Sequence, residues 1–457
     1  MKGKLRTANF ENLRSLLLEK KENAKGPGSS FIRTRRRQNA GSGKRLVGVY
    51  IGLDFGTSFT KAFFRSSQGD EGSVEFNPLR TDDGAFFLPS RLYYDAEYST
   101  LRFTPLAEKQ LILLEFFKYG MLKDELKIKD IKFTEDFSLA RELVGKNSDP
   151  FSGEYLCSVY FLANCFKYIK EFISEKIEVP VEDIRFRVNM GCPFDNLKTS
   201  FRKIYDDCLR LGWILSKDVV DGMDLADVYA LIVAHRNDET DIPLQTIPEL
   251  YAEVYHLFRN NSTKIGLYGI LDIGGGTADF AVFHVRLGPD GSRKIRFLTQ
   301  NVLPLGVEML CTQIYPKNLE IGKKKIRGEN ADIVKVNYGG RGKLVQVRER
   351  LPYDFRCGIF GKIVSVKKMD KNLLANIFHD DGRIPLLLYG GGADFKWYQS
   401  IIKEHNPSLK NYNIPILDCR CKKENKNRLI IAKSLAFIQE VFDLEDGDIS
   451  FSSEFVQ

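Results

Sequence analysis

Residues 266–283 read Gly-Leu-Tyr-Gly-Ile-Leu-Asp-Ile-Gly-Gly-Gly-Thr-Ala-Asp-Phe-Ala-Val-Phe. An apolar run ends in Asp272, three glycines and Thr277 follow, and a second apolar run begins at Phe280, the pattern of strand, tight turn and strand. Gly274, Gly275 and Gly276 have access to positive φ and carry no Cβ, so the N–H groups of such a turn can close around a phosphate. A bare carboxylate would repel that phosphate. Asp272 is therefore expected to hold a hydrated Mg²⁺ beside it.

The design recurs. Val47 to Arg65 is a strand, then Asp54 with Gly56, Thr57 and Ser58 at the turn, then a second strand carrying Lys61. Pro385 to Asp394 is an apolar strand running into Gly390, Gly391 and Gly392. Lys61 lies seven residues after Asp54, and in a strand that leaves the loop its ammonium would point back toward a bound phosphate as a compact charge.

These three stretches, in this order, resemble the superfamily of actin, the sugar kinases and the seventy-kilodalton heat-shock ATPases. Asp54-Phe-Gly-Thr-Ser is similar to the family's first phosphate loop, Asp272-Ile-Gly-Gly-Gly-Thr-Ala-Asp279 to its second, and Gly390-Gly-Gly to its adenosine loop. The second loop is most like that of the DnaK-type chaperones, whereas Lys61 matches the phosphate-binding lysine of actin and its plasmid and pilus relatives. The resemblance implies an α/β, two-lobed actin-like ATPase fold, each lobe a central mixed sheet flanked by helices, with ATP and Mg²⁺ between them. It divides the chain into a first lobe over 47–265 and a second over 266–445. A small inserted subdomain falls at about 312–384 and a tail at 446–457.

Further residues enter only through the resemblance. Pro248-Glu-Leu-Tyr-Ala252 is similar to the chaperones' Glu-Pro-x-Ala motif, which makes Glu249 a carboxylate that holds Mg²⁺ through water, together with Asp54 and Asp272. Leu250 replaces the motif's proline. Residues 106–125 read as helical, and by position Lys118, with Lys123 as the alternative, corresponds to the lysine that reaches the attacking water and the γ-phosphate. Asp279 or Asp272 would orient that water. Residues 159–176 repeat apolar positions at helical spacing, Ile184 to Pro193 alternates as a strand, Phe87 to Tyr94 matches a Pro-Ser strand, and Leu303 to Leu310 a glycine turn and helix. Arg428 to Ala436 resembles a terminal helix of stand-alone chaperone-like ATPases, with Ser434 in place of a glycine, and no β-sandwich substrate-binding domain is expected after Gln457.

Basicity is confined to one end. Residues 1–46 hold thirteen Lys or Arg against three Glu, a net of +10, while the whole chain is +8, leaving about −2 for residues 47–457. That arm is read as solvated and disordered, with a short amphipathic stretch at 9–23, and as the place where an acidic partner or nucleic acid would bind. Ala40-Gly-Ser-Gly-Lys-Arg45 is not a P-loop, because Gln38 stands where the first glycine belongs and Arg45 where Ser or Thr belongs. Lys323 to Arg327, within a basic subdomain, reads as a solvated face. The eight cysteines show no CxxC spacing, so neither a zinc site nor a disulfide framework is indicated, and a reducing, cytoplasmic setting is expected. No apolar run reaches the roughly 18 residues that span a bilayer, and no secretory leader is recognisable.

Three function classes follow. The first is a slow ATP-hydrolysing switch, chaperone-like in its engine and acting through a protein partner. The others are an actin-like filament protein and a small-molecule kinase, which would need a carboxylate as general base in the cleft.

Overall fold

The computed structural model describes residues 46–76, 84–107, 109–121, 152–193, 200–259, 263–288, 291, 293–303, 305–308, 311, 384–393, 395, 398–399, 402, 409–413, 426–443 and 448–452. The arm over 1–45, Lys123, the segment 312–383 with Lys323 to Arg327, and the tail beyond 452 lie outside the described residues.

The chain is mixed α/β, and its two large sheets are laid out in the same order. The first opens with an antiparallel meander of β1 (Val47–Phe55), β2 (Phe59–Ser66) and β3 (Glu71–Ser73), with β4 (Leu88–Pro89) also paired to β2. A small antiparallel sheet follows, of β5 (Arg91–Asp95), β6 (Thr100–Arg102), β7 (Ile112–Glu115) and β9 (Met223–Asp224). Helices α1 (Phe117–Gly120) and α2 (Gly153–Ile177) then lead to β8 (Ile184–Cys192), which lies parallel to β1. After α3 (Ser200–Leu215) and α4 (Leu225–Ala234), β10 (Leu244–Pro248) runs parallel to β8 and passes directly into α5 (Glu249–Arg259).

The second sheet repeats this plan. Strands β11 (Gly266–Ile273), β12 (Ala278–Leu287) and β13 (Arg293–Leu303) form the meander, β14 (Ile384–Tyr389) is parallel to β11, and β15 (Leu409–Asn413) is parallel to β14. Helix α6 (Ile430–Phe437) and the hairpin β16 (Glu440–Asp443) and β17 (Asp448–Ser452) close the chain, with β17 on the edge of β13. Apart from β4, β16 and β17, the five strands of each large sheet run in space as fifth, fourth, first, second, third.

Burial explains the strand assignments. Leu53, Val188, Ile270 and Leu388 are fully buried, as parallel strands covered on both faces must be. One core lies between the first sheet and helices α2 and α3, with Phe55, Phe161 and Phe166 at its centre. The other joins Phe59 and Phe63 of β2 to α5, α6 and the strands of the second sheet, so both helices belong to a single core that reaches both large sheets. Contacts group the described residues into one compact unit.

Three local readings change, the first being that Phe87 to Tyr94 is not one strand but is divided at Ser90 between β4 of the first sheet and β5 of the small sheet. Residues 106–125 are not one helix, because Ile112–Glu115 pairs with β5 as a strand and only Phe117–Gly120 is helical before the description ends at Met121. Phe116 breaks the periodicity by taking a left-handed conformation, φ 63°. The helix read at 159–176 begins at Gly153, where the Ser152 side chain accepts a hydrogen bond from the Tyr155 N–H at 3.1 Å, a cap that satisfies one orphan donor.

Helix α6 lies in sequence between strands of the second sheet yet is fastened to the first. Its last carbonyls are taken up by buried side chains of β2 and β8: Arg65 Nε donates to the Ala436 carbonyl at 2.8 Å, and Asn189 Nδ2 donates to those of Leu435 and Ile438 at 2.8 and 2.6 Å. A Cβ at Gly52, in the middle of β1, would stand 2.0 Å from the Ala432 carbonyl oxygen and 2.4 Å from the Ala436 nitrogen. Gly52→Ala must therefore push α6 off the sheet, and overpacking of this kind costs about 1–3 kcal/mol. Thermal unfolding should show Gly52→Ala melting several degrees below wild type. Gly48→Ala, where the new atom meets only Ser67 at 3.7 Å, should melt with wild type; equal melting of the two variants would show that the close packing of α6 is wrong.

Candidate active site

The hairpin register places the first acidic residue. Asp54 is the last residue but one of β1 and is directly opposite Lys61 on β2, so the seven-residue spacing is a cross-strand pair, and Lys61 Nζ lies 2.5 Å from Asp54 Oδ2. In the second hairpin the same register puts Asp272 opposite Asp279. Lys61 and Asp279 thus occupy equivalent places, one beside a carboxylate of opposite charge and one beside its like.

Lys118 is brought in by aromatic packing. Phe55, next to Asp54, points into the first core, where its ring lies 6.2 Å from Phe117 and 5.9 Å from Phe161. That stack fixes the short α1, so the neighbouring Lys118 turns inward, with Nζ 5.6 Å from the Phe55 ring centre and 2.8 Å from Glu249 Oε1. Glu249 is the first residue of α5, where the helix end favours negative charge. Lys118 is 4% exposed, so its charge can be kept only in such a pair. Burial acts to lower the Lys118 pKa, but the Glu249, Asp54 and Asp279 carboxylates outweigh it and the ammonium lies above the ordinary lysine value.

The glycine turns are braced from behind. At the second turn, the N–H groups of Gly306, Val307 and Glu308 donate to the carbonyls of Gly276, Gly274 and Gly275 at 3.1, 3.0 and 2.7 Å. A planar peptide sets its N–H opposite its C=O, so the amides of Gly275, Gly276 and Thr277 are turned to the other side. At the first turn, Ser90 does the equivalent work. Its N–H donates to the Ser58 carbonyl at 3.0 Å, and its hydroxyl donates to the Gly56 carbonyl at 2.6 Å while accepting from the Thr60 hydroxyl.

Of the two reasons expected for glycine at the second turn, positive φ and the absence of a Cβ, only the second is used. None of Gly274, Gly275 and Gly276 has positive φ. What they supply is closeness: a Cβ on Gly275 would fall 2.0 Å from Ser58 Oγ, so the first and second turns touch there. Only Gly390 uses the left-handed region, φ 80°, and there a Cβ would also stand 2.1 Å from Asp272 Oδ1. The Gly392 N–H then donates to the Ile273 carbonyl at 2.8 Å, tying the third turn to the end of β11.

All three turns open on one cavity of about 270 Å³. Of the residues singled out in the sequence, Asp54, Gly56, Thr57, Ser58, Lys61, Lys118, Glu249, Asp272, Gly274, Gly275, Thr277, Gly390, Gly391 and Gly392 line it. Gly276 and Asp279 do not: Gly276 packs under Tyr119 and Thr57, and Asp279 is 1% exposed behind Asp272. The sequence reading missed Glu253, Glu308 and Arg428, which also line the cavity, and Ser90, which braces it. Glu253 could have been found from its i+4 spacing to Glu249 on one helix face. Arg428 could not, since it reaches the site from far along the chain, with its guanidinium 4.1 Å over Phe87 and 5.0 Å over Phe59.

The lining is acidic in balance, with five carboxylates against two lysines and one arginine. Asp272 Oδ1 and both oxygens of Glu253 are buried without a hydrogen-bond partner. Burial, then the Glu249 and Asp54 charges, push the Asp272 carboxyl up to about 7, and burial with the Asp272 and Glu249 charges holds Glu253 well above the usual carboxylate range. Such a set of oxygens, with unpartnered ones among them, fits a hydrated hard divalent cation such as Mg²⁺. Among the described residues no three acidic, imidazole or thiol groups stand close enough to ligate a metal directly.

The Asp272 shift sets a pH dependence. A carboxyl whose folded value is raised binds its proton more tightly in the folded protein, so stability falls as pH rises from the unfolded value of 3.8 through about 7. In EDTA, wild type should melt several degrees lower at pH 8 than at pH 5.5. Asp272→Asn should melt above wild type at pH 8 and show a shallower slope; an unchanged slope would mean that Asp272 is ionised throughout.

The five described cysteines, 157, 165, 192, 208 and 311, are buried free thiols. Among the described residues no helix is long and apolar enough to cross a membrane. No protein-family model matches the chain and no curated protein is recognisably similar to it, so its function must be argued from this geometry.

Proposed function

We propose that the cavity is the ATP site of a two-lobed, actin-like ATPase resembling the chaperone nucleotide-binding domain. The observation that carries this reading is the meeting of three glycine turns, from two sheets of the same strand order, with Lys118 and Glu249 around one acidic cavity. Duplicated sheets with α5 and α6 in the core they share support the two lobes.

The amides of Gly275 and Thr277, with the Thr57 and Ser58 hydroxyls, form an anion cradle for the terminal phosphates. Lys61 and Lys118 offset charge on the phosphoryl group being transferred. Asp54, Asp272 and Glu249 hold the Mg²⁺ through its water shell. Mg²⁺ supplies charge neutralisation of the phosphates and a template for their orientation. Asp272, which lines the cavity where Asp279 does not, orients the attacking water. The Gly390 to Gly392 turn and Arg428 flank the adenosine end. Phosphoryl transfer requires little beyond positioning and charge, so a slow hydrolase that changes shape on turnover and acts through a protein partner fits the site. The buried thiols accord with a reducing cytoplasm.

Glu253 favours one second reading. A carboxylate that lines the cavity beyond those needed for Mg²⁺ meets the requirement of a small-molecule kinase for a general base. Purified protein with ATP and Mg²⁺ should release phosphate slowly without any acceptor. Asp54→Ala and Asp272→Ala should each lower that release by about 100-fold or more. Tight ATP binding with no release, and phosphate appearing only on an added alcohol, would replace the switch by the kinase. Absence of ATP binding would end both.

A further inference from the structure

Two largely buried ion pairs occupy the groups that a cation would use. Lys61 Nζ is 2.5 Å from Asp54, and Lys118 Nζ is 2.8 Å from Glu249. Both lysines line the cavity, and the two carboxylates they hold are two of the three assigned to Mg²⁺. The third, Asp272, keeps an oxygen without a partner at 6% exposure, and Glu253, fully buried on the same helix face as Glu249, keeps two. The cavity is thus an acidic site balanced from within by its own cations.

We propose that Lys61 and Lys118 are place-holders for the divalent cation: they neutralise Asp54 and Glu249 until phosphate draws them away, so metal enters only together with the anion. The charge arithmetic requires the exchange. Asp54 and Glu249 already have their charges opposed by Lys61 and Lys118, and a bare divalent ion approaching those carboxylates would be repelled by the two ammonium groups. Phosphate alone would strip the lysines from Asp54 and Glu249 and leave buried carboxylates uncompensated, which is costly. Metal and phosphate together exchange partners with the pairs and leave each charge opposed. The coupling is reciprocal, each ligand raising the affinity for the other by the same factor. The phosphate half rests on the function proposed above; the metal half rests on the ion pairs alone. Both lysines act here as specificity-determining residues for the order of loading.

The test uses Mn²⁺ as the probe, read by its electron paramagnetic resonance signal, on the full chain without nucleotide. Wild type should leave the free Mn²⁺ signal undiminished at equimolar metal. Lys61→Gln and Lys118→Gln, which keep a polar tip beside the carboxylate, should each gain a Mn²⁺ site roughly 10–100-fold tighter than wild type. Adding Asp54→Asn to Lys61→Gln should abolish that gain. Tight Mn²⁺ binding by wild type alone would overturn the proposal whatever the variants do, and so would folded variants that bind Mn²⁺ no better than wild type. If ATP fails to bind while the variants gain the metal site, the nucleotide reading falls and the lysines' guard over the cation site stands.

Discussion

Asp54 and Asp272 stand at the same place in two hairpins, yet the residue across the strand is Lys61 in one and Asp279 in the other. Everything around the cavity answers to that difference. A salt bridge across the first hairpin neutralises its carboxylate locally. Like charges across the second are unfavourable, and in a buried hairpin they cannot be relieved by water. The excess is met by keeping protons, with Asp272 raised to about 7 and Asp279 well above the usual range, and by importing Lys118 from α1. Such a junction gathers more carboxyl groups than a stable core would choose.

The scaffold that tolerates this strain is rigid where it needs to be. The aromatic stack of Phe55, Phe117 and Phe161 fixes Lys118, Ser90 fixes the first turn, and the Gly306 to Glu308 segment fixes the second. The last two braces take up carbonyls and so commit the opposite amides to one side. A cradle of amides prepared in this way pays its reorganisation on folding instead of on binding. Helix α6, packed on β1, β2 and β8 and tied to them by Arg65 and Asn189, belongs to the core that also reaches the second sheet.

Much of this was legible from residue order, for a physical reason. A hairpin's turn and register are local: Asp, glycines and a seven-residue return specify the tip and the pair across it without reference to the rest of the chain. Asp54 with Lys61, and Asp272 with Asp279, could be paired on that basis. The helical reading of 106–125 failed because apolar spacing in a short stretch does not separate a strand edge from a helix, and pairing with β5 decided it. The lack of a Cβ at the three glycines was read correctly, but that it serves closeness to Ser58 was not, since Ser58 belongs to a different hairpin and leaves no mark in the local sequence.

The sequence by itself therefore determined the three turns, the acidic residue leading two of them, the lysine across the first, and the confinement of basic charge to residues 1–46. Only the tertiary structure decided that these turns share one cavity, that Lys118 is the cation facing Glu249, and that Asp279 and Gly276 stand behind the lining. It also decided that Glu308 and Arg428 belong to the lining. Turns and registers are set by neighbours along the chain. Which charges are buried together is set by the packing of two sheets on shared helices, and no local pattern encodes that.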